Sequence, residues 1–249
     1  MNHSWAALIL AAGSGTRIHS LTEAPKSLLP IENETILERH VRIWKEAGIK
    51  QAVVVVGYKS EMIIDALEPY RHDLEIRFIR NDDYERLGNT YSLSVGLQQI
   101  DRNLVMFDAD LVYDEQILID FLADENRDQI LIGEGALDDE ECAKALLDED
   151  GMVRMTIDKR HVTPDELKQF RFGGEAVGIL KFSYESALKL KEKAGQFLSD
   201  EAHLGLNWEH LMNEFLAEHS MAAHKIQEGR WIEIDTPHDY HLARRMFEE

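Results

Sequence analysis

The segment Leu10-Ala11-Ala12-Gly13-Ser14-Gly15-Thr16-Arg17 leaves an apolar run, turns on two glycines and ends on a cation. Backbone amides exposed by such a loop can cradle phosphate oxygens, and the arginine adds a planar, bidentate charge. Further on, Pro25-Lys26-Ser27-Leu28-Leu29-Pro30 sets a lysine between two prolines, so two cations converge on one anion site. The loop is not a dinucleotide fingerprint, because Ile18 stands where the third glycine of G-x-G-x-x-G belongs, and no Gly-Lys-Ser/Thr follows to make a Walker loop. Taken alone, it also reads as a tight turn with an exposed arginine.

Carboxylates supply the opposite charge. Phe107-Asp108-Ala109-Asp110 ends an apolar run that reads as a strand, at the end where a parallel α/β sheet opens its site. Trp231-Ile232-Glu233-Ile234-Asp235-Thr236-Pro237 places Glu233 and Asp235 two apart on a strand, hence on one face. That spacing suits a shared Mg²⁺; the pair also reads as solvent-facing acids with Asp235 capping the next helix. The 11 histidines show no H-E-x-x-H or other metal spacing and read as surface residues.

Alternating elements must position these groups. Residues 6–11 form an apolar run that stops at the glycine loop, as a central buried strand would. Residues 35–47 carry Leu37, Val41 and Trp44 at helical spacing and end at Gly48. Strands are expected at 51–58, 74–79, 104–108 and 129–132, with helices at 60–67, 90–100 and 114–122 between them. This alternation predicts an α/β fold with a doubly wound, mostly parallel sheet covered on both faces. After Gly133 the pattern changes to a hairpin, 143–148 and 152–158, turning at Glu149-Asp150-Gly151, where Asp-Gly supplies positive φ. A strand at 175–182, helices at 184–193 and 208–218, a last strand at 230–234 and a helix opened by Pro237 complete the reading. No Pro/Gly/Ser linker separates the halves, so one domain over 1–249 with a small hairpin and helical lid is expected.

The 249 residues are 44% hydrophobic, enough for a real core, and carry a formal charge of −20. That sign disfavours non-specific nucleic-acid binding and an anionic membrane surface. Cys142 is the single cysteine, which excludes an internal disulfide and a thiolate metal site and suits a reducing cytoplasm. The start of the chain offers only a short apolar run, 5–10, before polar sequence, so neither a leader nor a membrane span is expected.

The pair L-A-A-G-x-G-T-R and P-K-x-L-x-P, spanning Leu10 to Arg17 and Pro25 to Pro30, resembles the nucleotidyltransferase family that makes nucleoside-diphosphate sugars and alcohols. The resemblance implies a Rossmann-like nucleotidyltransferase fold, with 1–133 binding nucleotide, 134–229 binding the acceptor as a lid, and 230–249 as a closing strand and helix. It implies that the glycine loop wraps a triphosphate, that Arg17 binds it, and that Lys26 contacts the α-phosphate or the attacking phosphate. Asp110 then resembles the family's metal aspartate, to be joined by Glu233 and Asp235 on Mg²⁺. Anionic nucleotide and acceptor meet a protein at −20, so Arg17, Lys26 and the metal must invert the local field. In-line attack on the α-phosphorus asks mainly for alignment and charge stabilisation, so no nucleophilic residue is required.

Leu87-Gly88-Asn89-Thr90-Tyr91-Ser92-Leu93 stands where the family reads the base, and its N-x-x-S-L form is closer to the choline-phosphate and aminoalkylphosphonate cytidylyltransferases than to the sugar branch. Asn89 and Ser92 are candidates to bond a pyrimidine edge, with Asn89 as a helix cap the alternative. Gly57-Tyr58 and Asp108 line the nucleotide pocket by the same resemblance. For the acceptor, Glu175-Ala176-Val177-Gly178 resembles the family strand facing the second substrate, and Asn207-Trp208-Glu209 a W-E-D-like helix start, with His210 departing from it. An ammonium would want Trp208 with Glu209 or Glu175; periodicity with Leu211 and Phe215 makes Trp208 equally a packing residue. One of Lys144, Lys159 and Arg160 is expected to reach the acceptor phosphate. The implied function is a Mg²⁺-dependent cytidylyltransferase using CTP and a phosphorylated or phosphonylated amino-alcohol. The alternatives are a sugar-1-phosphate or polyol-phosphate nucleotidylyltransferase, and a regulatory subunit that binds nucleotide without turnover, in which Lys26 or Asp110 would be expected lost.

Overall fold

In the computed structural model, residues 4–248 are described; Met1–His3, where the reading of the N-terminus begins, and Glu249, where the readings of the domain and of its closing segment end, lie outside them. Strand β1 (Trp5–Ala11) runs into the glycine loop, a short pair β2 (Pro30–Ile31) and β3 (Glu34–Thr35) follows, and helix α1 (Ile36–Glu46) leads to β4 (Gln51–Val56). Next come α2 (Ser60–Leu67), β5 (Glu75–Arg80), α3 (Asn89–Leu97), β6 (Asn103–Asp108), β7 (Leu111–Tyr113), α4 (Glu115–Ala123) and β8 (Gln129–Gly133). The second half holds the hairpin β9 (Lys144–Leu147) and β10 (Met152–Ile157), α5 (Pro164–Gln169) and the long β11 (Arg171–Phe182). It closes with α6 (Tyr184–Phe197), α7 (Trp208–Glu218), β12 (Met221–Lys225), β13 (Trp231–Glu233) and α8 (Pro237–Phe247).

Among the described residues, nine strands form one sheet in the order β5-β4-β1-β6-β11-β8-β12-β10-β9. The first four are parallel, as the βα alternation requires. From β11 onward the sheet is mixed: β11 is antiparallel to β6 and β8, and only the β8–β12 pair is parallel. The parallel character expected of the sheet is therefore confined largely to its first half. Strand β9 pairs back onto the start of β11, closing β11, β8, β12, β10 and β9 into a five-stranded ring. The hairpin turns where expected, with Gly151 at φ 82°.

Successive side chains of a strand face opposite sides, and β1 shows it. Ala6, Leu8 and Leu10 enter one core layer with Leu93, Met106, Trp208 and Phe215, while Ala7, Ile9 and Ala11 enter the other with Trp44, Val54, Phe107 and Phe121. His40 of α1 lies in that second layer, only 1% exposed and against Trp44, Phe107 and Tyr113. It corrects the reading of the histidines as surface residues: helical spacing puts position 40 on the same inward stripe as Leu37, Val41 and Trp44. Among the described residues, no helix is long and apolar enough to cross a membrane.

Register brings the chemistry to one edge. Leu10 pairs with Asp108 and Ala11 with Val56, so the glycine loop, Gly57 and Asp108 leave the sheet together. In the separate β7–β13 pair, Leu111 faces Glu233 and the Ile234 amide donates to the Asp110 carbonyl at 3.0 Å. This small ribbon carries Glu233 and Asp235 to Asp110.

Candidate active site

A cleft of about 270 Å³ opens at that edge, lined by Leu10, Ala11, Gly13, Gly15, Arg17, Lys26, Asn89, Asp108, Asp110, Asp158, Lys159, Asn207, Glu209, Glu233 and Asp235 among others. Gly15 holds φ 61° at the start of a short 3₁₀ turn that carries Arg17, a left-handed backbone suited to glycine. The Lys26 ammonium lies 2.7 Å from Asp110 Oδ2 and 2.9 Å from Asp235 Oδ1. Asp235 Oδ2 also receives Arg17 at 2.8 Å and Lys159 at 2.7 Å, and Glu233 lies 3.9 Å from Lys159. Burial would lower the Lys26 pKa, but Asp110 and Asp235 overcome it and raise it. Burial would raise that of Asp235, but Lys26 and Lys159 hold it well below the usual carboxylate range. Glu233 goes the other way, pushed up by burial and by the charges of Asp110 and Asp235.

Oxygens of Asp110, Glu233 and Asp235 all lie within 4.8 Å of one another. Asp110 Oδ1 is buried without a hydrogen-bond partner. Three hard oxygen donors with an orphaned lone pair among them fit a divalent cation such as Mg²⁺. Asp235 is not the helix cap that was its alternative, because Thr236 caps α8 in a reciprocal box with Asp239.

Of the three cations expected to compete for the acceptor phosphate, only Lys159 lines the cleft. Lys144 is fully buried, its ammonium donating to the carbonyls of Asp139, Cys142 and Arg160. Arg160 is tied to Glu166 on the surface. Every residue of β9 is buried, so the strand carries Lys144 into the interior on either face, which its residue type did not disclose. Asp158 and Asn207, which sequence reasoning left unassigned as ligands, also face the cleft; position beside Lys159 and Trp208 was the available signal.

The remaining candidates divide. Asn89 lines the cleft, and its Oδ1 accepts the Trp208 amide at 2.7 Å, capping α7 rather than its own helix. Ser92 is buried with its hydroxyl accepting from Asn81 at 3.0 Å, and Thr90 is buried in α3 with its hydroxyl unpartnered. Ala12, Ser14, Thr16, Gly57 and Gly88 flank the cleft lining without entering it; the Tyr58 amide bonds the Ala12 carbonyl, joining the two loop ends. Asp108 enters it, and its Oδ2 accepts Trp208 Nε1 at 3.0 Å. That bond corrects the acceptor role expected of Trp208: the indole is 1% exposed and packs with Leu211 and Phe215, offering no face to a ligand. Gly178, at φ 79°, leaves room for Asp108, since a Cβ there would lie 2.6 Å from its Oδ2. Glu209 is in the cleft, and Glu175 lines a neighbouring pocket of about 480 Å³ with Glu141, Cys142 and Trp231.

Known proteins resemble this chain in sequence and in fold. The MobA-like NTP transferase domain matches residues 7–137. A choline-phosphate cytidylyltransferase of Streptococcus pneumoniae is 35% identical over 105 residues, 42% of this chain and 44% of that protein. A bifunctional IPC transferase and DIPP synthase of Thermococcus kodakarensis is 25% identical over 241 residues, 96% of this chain and 50% of that protein. The chain thus matches about half the length of these curated relatives, or less. The structure of a CTP:phosphocholine cytidylyltransferase from S. pneumoniae gives a TM-score of 0.78 at 22% identity, covering 98% of this chain and 99% of that one. An inositol-1-phosphate CTP transferase from T. maritima gives 0.75 at 20% identity, covering 100% and 98%. At these identities the structural likeness establishes the fold, the Rossmann-like α/β architecture of nucleotidyltransferases.

Proposed function

The chain belongs to the MobA-like NTP transferase domain family, and on that footing we propose that it is a Mg²⁺-dependent cytidylyltransferase acting on a phosphorylated or phosphonylated amino-alcohol. The observation that carries the reading is the meeting of Lys26, Arg17 and Lys159 with Asp110, Glu233 and Asp235 in one cleft beneath a glycine loop. An acceptor oxygen attacks the α-phosphorus of CTP, a new P–O–P bond forms, and the bond to the β-phosphate oxygen breaks to release pyrophosphate. Both reactants are anions, so the barrier falls mainly by alignment and fixed positive charge. The loop amides and Arg17 bind the triphosphate, Lys26 neutralises the reacting phosphates, Lys159 holds the attacking one, and Asn89 donates to the base. A divalent cation held by Asp110, Glu233 and Asp235 would supply the further charge neutralisation that the phosphates need.

A regulatory role without turnover finds no support, since Lys26 and Asp110 are present and face each other at 2.7 Å. A polyol-phosphate acceptor is the second reading, favoured by the near full-length matches to the IPC transferase and to the inositol-1-phosphate CTP transferase. A cytoplasmic setting suits the free, buried Cys142. Pyrophosphate release across the four nucleoside triphosphates, with phosphocholine, 2-aminoethylphosphonate, inositol-1-phosphate and glucose-1-phosphate, tests the reading. Turnover is expected with CTP and an amine-bearing acceptor; use of sugar or polyol phosphates alone overturns the acceptor class.

A further inference from the structure

Glu209 sits in the first turn of α7, only 7% exposed, yet it lines the cleft, and its Oε2 is buried without a hydrogen-bond partner. Asp158 stands on the same wall, its Oδ2 accepting Asn207 Nδ2 at 3.1 Å and lying 3.5 Å from His210 Nε2. The nearby cation, Lys159, is engaged by Asp235 at 2.7 Å. A carboxylate in this setting either keeps a proton or takes a cation, because leaving it ionised, buried and unpaired is costly. Burial and the charge of Asp158 accordingly push its pKa up to about 8.

We propose that Glu209, Asp158 and Asn207 form the receptor for a primary ammonium, so that the acceptor is a short phosphorylated or phosphonylated primary amine rather than its trimethylated counterpart. This rests on the cytidylyltransferase reading above and specifies its substrate. A primary ammonium brings three N–H donors, and Glu209, Asp158 and Asn207 are the oxygen-bearing side chains that line this part of the cleft. A trimethylammonium donates none and is held by aromatic faces, and no aromatic side chain lines the cleft among the described residues. Trp208, the indole next to Glu209, is buried in the core with its Nε1 bonded to Asp108. The adjoining pocket, with Trp231 beside Glu141 and Glu175, is the place where a quaternary head would find an aromatic surface.

Initial rates with CTP and 2-aminoethylphosphonate, phosphoethanolamine, phosphocholine or ethylphosphonate test the proposal. The primary amines are expected to exceed phosphocholine and ethylphosphonate in kcat/KM by about tenfold or more, the scale of a buried charge pair. Glu209→Gln should raise the KM of the primary amines by about tenfold, leave the KM of CTP unchanged, and erase their advantage over ethylphosphonate. An unchanged thermal midpoint shows that this isosteric variant is folded. Phosphocholine used as well as or better than the primary amines, with Trp231→Leu rather than Glu209→Gln as the sensitive variant, overturns the receptor while leaving the cytidylyltransferase reading intact. Turnover confined to polyol or sugar phosphates overturns both.

Discussion

Lys26 makes two close ion pairs in a half-buried site, to Asp110 and Asp235, and both partners belong to the carboxylate cluster suited to a cation. Its charge is thus fixed before any phosphate arrives, which is the condition for electrostatic preorganisation. Lys26→Ala is expected to lower kcat by roughly 10²-fold or more, the scale of removing one such contact, while circular dichroism shows an intact fold. Wild-type turnover in that variant would remove Lys26 from the mechanism. At this scale the sequence was informative wherever backbone geometry restricts residue choice, as in the glycine loop, the proline-flanked Lys26 and the alternation of Glu233 with Asp235. It was uninformative where burial decides between equals. Lys144 and Lys159 flank the same hairpin, yet one anchors three carbonyls in the interior and the other faces the cleft. Trp208 is the converse case: its i+3 and i+7 partners, Leu211 and Phe215, declared a packing role that the structure bears out.

Among the elements, α1 shows how a well-read helix can hide a titratable group. Its capping box at Thr35 and Glu38 and its apolar stripe agree with the sequence pattern. The same stripe buries His40, whose Nδ1 lies 3.2 Å from the Tyr113 hydroxyl and whose pKa burial, aided by Arg39, lowers to about 3. Between that value and the ordinary pKa of about 6.5, the unfolded chain binds a proton that the native protein does not. Stability therefore rises with pH across this window and is lost as pH falls through it. At pH 5 the loss from this one residue is roughly 2 kcal/mol. His40→Leu is expected to flatten the dependence of the urea midpoint on pH between 7 and 5 by about that amount; an unaltered slope would show that His40 is not the acid-sensitive group. The strands that escaped notice fail for another reason. β12, Met-Ala-Ala-His-Lys, lacks an apolar run and is a strand only because β8 and β10 pair with it. The ring it helps close depends on long-range pairing, which local patterning cannot encode.

For the whole molecule, the question is how a chain of net charge −20 holds three carboxylates together and still admits anions. Much of that charge is already countered, with Lys26 on Asp110 and Asp235, and Lys159 and Arg17 on Asp235, while Glu233 has Lys159 at 3.9 Å. The fold therefore does not need a metal to relieve the repulsion, unlike small domains in which binding free energy is folding free energy. A triphosphate changes that balance. In the proposed reaction a triphosphate would share the charges of Arg17, Lys26 and Lys159 with the carboxylates, Lys26 staying in place, and the carboxylate oxygens so relieved would take a divalent ion. The expected outcome is that EDTA abolishes turnover, that added Mg²⁺ restores it, and that the thermal midpoint of the nucleotide-free protein is the same with and without chelator. By the same reasoning, electron paramagnetic resonance should detect Mn²⁺ held more tightly with CTP than without it, and Asp110→Asn should weaken that signal. Full activity in EDTA would discard the metal, whereas a protein that unfolds on chelation would show that the lysines do not suffice to balance the cluster.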